Sequence, residues 1–109
     1  MADRLEDSRS KAYSLTGEIL VSALIAPKPL VEFETLKRGA TVAAAETQDA
    51  YIQNWTRFVI GWEEFRRGRM NDARDSAREL MQVGRQLDDP RSTGLGSALL
   101  AWIAVVSDS

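Results

Sequence analysis

The chain has 109 residues, no Cys, no His, 14 basic and 16 acidic residues, and a formal net charge of −2. That length allows one domain with one modest core. Without Cys there is no thiolate nucleophile, disulfide or Cys-ligated metal, and without His the commonest general base and metal ligand are missing. A general nucleic-acid binder needs a basic face, which this balance does not supply. These exclusions favour a binding or scaffolding module over an enzyme, with no cofactor and no metal. Asp3, Glu6, Asp7 and Glu18 spoil a signal-peptide reading of the N-terminus. The longest apolar-rich run, Leu95 to Val106, is too short to span a bilayer. A cytoplasmic protein that touches no membrane and no nucleic acid is the expectation.

Breakers divide the chain into five blocks of helical length. The first runs from about Asp3 to Ala26, with Leu5, Ala12, Leu15, Ile19 and Ala23 at helical steps, and Pro27-Lys28-Pro29 stops it. The second, Pro29 to Thr47, has the stripe Leu30, Phe33, Leu36, Ala40, Ala43 and Ala44. Gly39 inside it suggests a neighbouring helix passing close. Thr47-Gln48-Asp49 reads as a turn, with Asp49 as N-cap of the next helix. The third block, Ala50 to Arg67, carries Tyr51, Trp55, Phe58, Trp62 and Phe65 at steps of four and three, and Gly68 follows where a helix often ends in a left-handed residue. The fourth, Asn71 to Leu87, presents Ala73, Ala77, Leu80, Met81, Gly84 and Leu87 on one side, with Asn71 or Asp72 as its cap and Asp88-Asp89-Pro90 as its end. The fifth, about Thr93 to Ser107, is apolar almost all round through Leu95, Ala98, Leu99, Trp102, Val105 and Val106. Alternating runs are absent, so the predicted fold is all-α, about five antiparallel helices joined by short turns.

The third and fourth blocks form a helix–turn–helix of about 34 to 39 residues with Ile60-Gly61, Gly68-Arg69-Met70, Ala73, Ala77 and Leu80 in order. This resembles a tetratricopeptide repeat, in which small residues sit where two helices cross closely. The resemblance implies an N-terminal helical hairpin over 1–48, then a repeat plus the first helix of the next over 49–109. These would stack as a short right-handed superhelix. Ser107-Asp108-Ser109 falls where the next turn would begin, so the chain reads as a fragment of a longer protein. Leu87-Asp88-Asp89-Pro90, with Gly17-Glu18 and Lys28-Pro29, is similar to the degenerate helical repeats of bacterial class III adenylate and guanylate cyclases and related signalling regulators. No cyclase or ATPase catalytic motif occurs. If Gly61 and Gly68 set the register, the packing positions of the third helix fall on Arg57 and Glu64, which are poor core residues. If the aromatic stripe packs instead, Trp55 and Phe58 are core, and this register is preferred.

The stripe has two readings, core or partner groove, and burial of large aromatics favours core. Arg66, Arg67 and Arg69, with Arg57 one face away, could bind an acidic peptide or phosphate, since arginine forks suit such groups. The preferred reading is a solvated turn with local pairs, Glu63 to Arg67 among them. Glu63-Glu64 and Asp88-Asp89 lack the spacing of a metal loop, and adjacent residues diverge on a helix. The function expected is a non-catalytic protein-interaction or assembly module, the regulatory helical part of a larger signalling protein such as a nucleotide cyclase. Its contact residues would be Trp62, Phe65, Arg66 and Arg57. A homodimer through Leu95, Leu99, Trp102 and Val106 is expected as well, because the fifth helix has no visible partner. The alternative is a small helical protein that binds an apolar ligand in an enclosed cavity bordered by Trp55, Phe58 and Trp102.

Overall fold

A computed structural model describes residues 2–107, with side chains from residue 7 onward. Five helices follow one another: α1 (Ala2–Leu24), α2 (Leu30–Thr47), α3 (Ala50–Arg66), α4 (Met70–Gln86) and α5 (Pro90–Ser107). There is no strand among the described residues, so the all-α expectation holds. The predicted Leu5 contact and the turn at Asp108-Ser109 lie outside what is described.

The helices are arranged in two layers. α1, α3 and α5 run parallel to one another, and α2 and α4 run back against them. The parallel sense follows from Thr16 meeting Thr56 and Ser22 meeting Glu63 across α1–α3, then Asn54 meeting Ser92 across α3–α5. These bonds join residues 38 to 41 apart. Each helix touches only its next and next-but-one neighbours, and α3 alone touches all four others.

A structural period of 40 residues runs through this stack. Gln48 and Asp88 both adopt left-handed backbone, at φ 56° and 51°. Each is followed by an aspartate that caps the next helix. Asp49 accepts from the amides of Tyr51 and Ile52, and Asp89 accepts from the amide of Arg91 and the hydroxyl of Ser92. Buried positions keep the same spacing: Ile52, Thr56, Val59 and Glu63 in α3 match Ser92, Gly96, Leu99 and Ile103 in α5. Phe33, Ala40 and Ala44 in α2 match Ala73, Leu80 and Gly84 in α4. Residue identity changes at nearly every pair, which is why the period does not show as sequence repetition.

Small residues stand where the layers cross. A side chain at Gly96 would come within 2.7 Å of the Ala77 carbonyl, and one at Gly61 within 3.0 Å of Ser76 Cβ. Gly39 lies against Leu15 of α1, as its sequence position suggested. Gly68 takes φ 82° after α3, which explains the helix stop there.

Two boundaries differ from expectation. α4 starts at Met70 with no side-chain cap, and Asp72 sits inside its first turn rather than at the cap. Pro90 opens α5 rather than merely ending α4, because proline at a first helical position gives up an amide that would be unpaired anyway.

Candidate interaction face

α3 is the centre of the molecule, and most of its circumference is used. Ile52, Thr56, Val59 and Glu63 are buried on the side of α1; Asn54, Phe58 and Gly61 are buried on the side of α5. The larger accessible face is a strip on which Tyr51, Trp55, Trp62 and Arg66 follow at helical steps. Trp102 of α5 meets that strip. Its ring lies 4.5 Å from Trp62, edge to face, and 6.4 Å from Phe58. Phe58 also contacts Trp55 at 6.0 Å and Trp62 at 5.9 Å. Four aromatic rings thus form one continuous surface over two helices. Phe58 is its buried root, Trp55 and Trp62 are half-buried, and Trp102 is 36% exposed. The stripe is therefore core at its base and accessible at its rim. None of the three indole N–H groups donates a hydrogen bond among the described residues.

At its N-terminal end the strip opens into a cleft of about 310 Å³ between the starts of α3 and α5, lined chiefly by Tyr51, Trp55, Leu95 and Arg91. The Arg91 guanidinium lies 5.0 Å from the Tyr51 ring centroid and makes no ion pair among the described residues. Asp89 borders this cleft with its carboxyl held below the usual aspartate range, chiefly by the Ser92 hydroxyl and then by the Arg91 amide.

The C-terminal end of α3 carries an ionic cluster, of which helical spacing predicts only the Glu63–Arg67 pair. Glu63 and Glu64 are both fully buried. They diverge, as adjacent helical residues must. Glu63 accepts from Ser22 and Arg66, each at 2.5 Å, and from Arg67 at 3.5 Å. Glu64 pairs with Lys37 at 2.7 Å and lies 3.1 Å from Arg69. Glu64 thus occupies a core position of α3 after all. The cations of α2 and of the α3–α4 turn neutralise it there, which an uncharged neighbourhood could not do.

The expected local pair of Glu63 with Arg67 is present and Arg66 is exposed, but Arg67 itself is only 14% exposed and is not part of a solvated surface. Its guanidinium stacks 4.8 Å from the Phe33 centroid and donates to the Lys28 carbonyl. The Lys28 amide in turn donates to Ser22 Oγ at 3.0 Å. The residue between the two prolines of the α1–α2 turn therefore has both backbone groups satisfied by this cluster. Arg69 donates to Glu34, which holds that carboxyl below the usual glutamate range and raises the guanidinium in return.

The four predicted contact residues are not brought together. Trp62 and Arg66 share the exposed strip. Phe65 turns toward Ala73, Ala77, Leu99 and Ile103 and packs between α4 and α5. Arg57 lies half a helix turn away from Arg66, because nine positions at about 3.6 per turn end on the opposite side. There it pairs with Glu79 at 2.9 Å and lines a second, polar cleft between α2 and α4. Of the predicted dimer residues, Trp102 and Val106 are exposed and Leu95 is half-buried. Leu99 is fully buried against Gly61 and the α4 alanines, so it cannot meet a second copy.

Phe58 and Trp102 do not line the cleft beside Trp55. No group of three or more acidic residues among those described could hold a metal ion. No helix among the described residues is long and apolar enough to cross a membrane. No protein-family model matches this chain, and neither a curated protein nor a solved structure matches it.

Proposed function

We propose that the chain is a non-catalytic protein-interaction or assembly module, the regulatory helical-repeat part of a larger signalling protein such as a nucleotide cyclase. The observation that carries the interaction reading is the joint surface of Trp55, Trp62 and Trp102. Accessible aromatic rims over a buried root make the kind of patch that anchors a partner, since indole supplies large area at low entropic cost. Two-layer stacking supports the repeat part of the reading, because solenoids present extended surfaces of this kind along one layer. The spacing of 40 residues is longer than the roughly 34 of a tetratricopeptide repeat. The likeness to that family lies in the role of its small residues rather than in its length.

The test compares wild-type chain with Trp102→Ala and Trp62→Ala for quantitative capture of partners from cytoplasmic extract, alongside thermal melting. A groove gives loss of specific capture by Trp102→Ala at a temperature where melting shows the variant still folded. Equal capture by all three proteins would remove the interaction reading. A second copy is the simplest partner, through Trp102 and Val106 at the edge of α5. Light scattering on eluted chain then gives a dimer mass at high micromolar concentration, and Val106→Glu restores the monomer. A strict monomer at that concentration defeats the homodimer.

A further inference from the structure

The aromatic strip carries an assignment of what it takes, resting on the interaction reading above. We infer that it binds an extended, proline-rich peptide with an acidic residue at each end, about seven residues long.

Three observations lead there. First, the indole N–H groups of Trp55, Trp62 and Trp102 belong to partly exposed rings and make no hydrogen bond among the described residues. A partner helix keeps its carbonyls within itself, whereas an extended backbone offers them outward. The strip holds few acceptors in return, since the Asn54 carbonyl takes Arg57 and Asp89 caps α5. A segment rich in proline lacks the amides that would need them. Polyproline segments dock in aromatic-lined grooves for this reason.

Second, the charge along the strip is one-sided. Arg91 stands at the N-terminal end without an ion pair, and Arg66 stands at the other end, where it and Arg67 share the single charge of Glu63. α5 has no acid from Pro90 to Ser107, and the strip on α3 has none between Tyr51 and Arg66. Asp89 is the nearest carboxylate, and its oxygens are occupied by the helix cap. Two guanidinium groups flanking a neutral aromatic floor fit carboxylates at both ends of the occupant.

Third, the distances agree. From Tyr51 to Arg66 the helix rises about 22 Å, which seven residues of a polyproline II helix span.

The probe is acetyl-Glu-Pro-Pro-Pro-Pro-Pro-Glu-amide, titrated into chain carrying ¹⁵N-tryptophan at low micromolar concentration. The chain has three tryptophans, so each indole N–H reports one position of the strip. Saturable shifts of all three are expected. The same peptide with lysine ends is expected to bind roughly tenfold more weakly, and Arg91→Glu to weaken the acidic peptide roughly fivefold with an unchanged melting curve. The Arg91 guanidinium stacks on Tyr51 and makes no ion pair among the described residues, so this variant spares the buried cluster that Arg66 supports.

Indole signals that stay fixed at millimolar peptide overturn the assignment, and so does equal binding by the lysine-ended peptide. An acidic-ended amphipathic helical peptide serves as comparison. If it alone shifts the indoles, the extended-peptide assignment falls and the interaction reading stands. Failure of that broader reading shows separately, as partner capture indifferent to Trp102→Ala.

Discussion

Glu64 shows how far a single residue's setting can depart from its chemistry. A carboxylate with no exposed surface is tolerated because Lys37 reaches it from α2 and Arg69 from the following turn. Removing one partner leaves charge stranded in a low-dielectric place, which costs about 3 kcal/mol or more. Lys37→Met should therefore lower the urea-unfolding free energy by about 2–3 kcal/mol, toward the low side because Arg69 remains. Glycines give a contrasting pair. Gly96→Ala drives a methyl onto the Ala77 carbonyl and should destabilise by about 1–3 kcal/mol. At Gly17→Ala the new methyl meets nothing within 4 Å, and α1 should gain up to about 1 kcal/mol from helix propensity. Equilibrium denaturation of both variants reads the two signs directly. The register set by Gly61 and Gly68 places Glu64 at a packing position, but the cations that make its burial tolerable come from α2 and the next turn, which a lone helix does not reveal.

At the scale of elements, the turns carry the repeat. Asp49 satisfies two amides of α3, and Asp49→Ala should cost about 1 kcal/mol in chemical denaturation. Gln48 precedes it in left-handed backbone that a side chain resists, so Gln48→Gly should stabilise by about 0.5–1 kcal/mol. Acid acts on the same connections. The carboxyls of Glu34 and Asp89 are lowered in the fold, the first mainly by the Arg69 hydrogen bond and the second mainly by the Ser92 hydroxyl. A lowered folded value means that the folded state holds the proton less tightly than the unfolded chain. The stabilisation is complete above the ordinary carboxylate range, about pH 4, and drains away as pH falls through the depressed folded values. Melting midpoints measured from pH 7 to pH 3 should drop at the acid end, and Glu34→Gln should flatten that slope. The cap at Asp49 could be read from Thr47-Gln48-Asp49. Its counterpart at Asp89 precedes Pro90, which reads locally as the end of α4 and in the fold opens α5.

For the whole molecule, the central place of α3 sets the order of stability. It alone contacts the four other helices, so its amides should exchange slowest, while α1 and α5 at the ends of the stack exchange faster. Native-state hydrogen exchange measures this, and uniform protection across the five helices would contradict it. The same position explains why function and packing share residues. α3 is enclosed on most sides; apart from the polar cleft that Arg57 lines, it has one strip left, and that strip is where Trp55 and Trp62 surface.

The chain alone determined the five helices, their stops, the Asp49 cap, the left-handed Gly68 and the aromatic stripe. All of these rest on periodicity and local backbone preference, which act within a few residues. The tertiary structure decided which side of each helix faces which neighbour. It placed Arg57 away from Arg66, Leu99 and Phe65 inside, Glu63 and Glu64 among cations, and Trp102 beside Trp62 across 40 residues of chain. Those outcomes depend on how five helices share a limited apolar surface. That is a property of the assembled stack, and no single helical segment contains it.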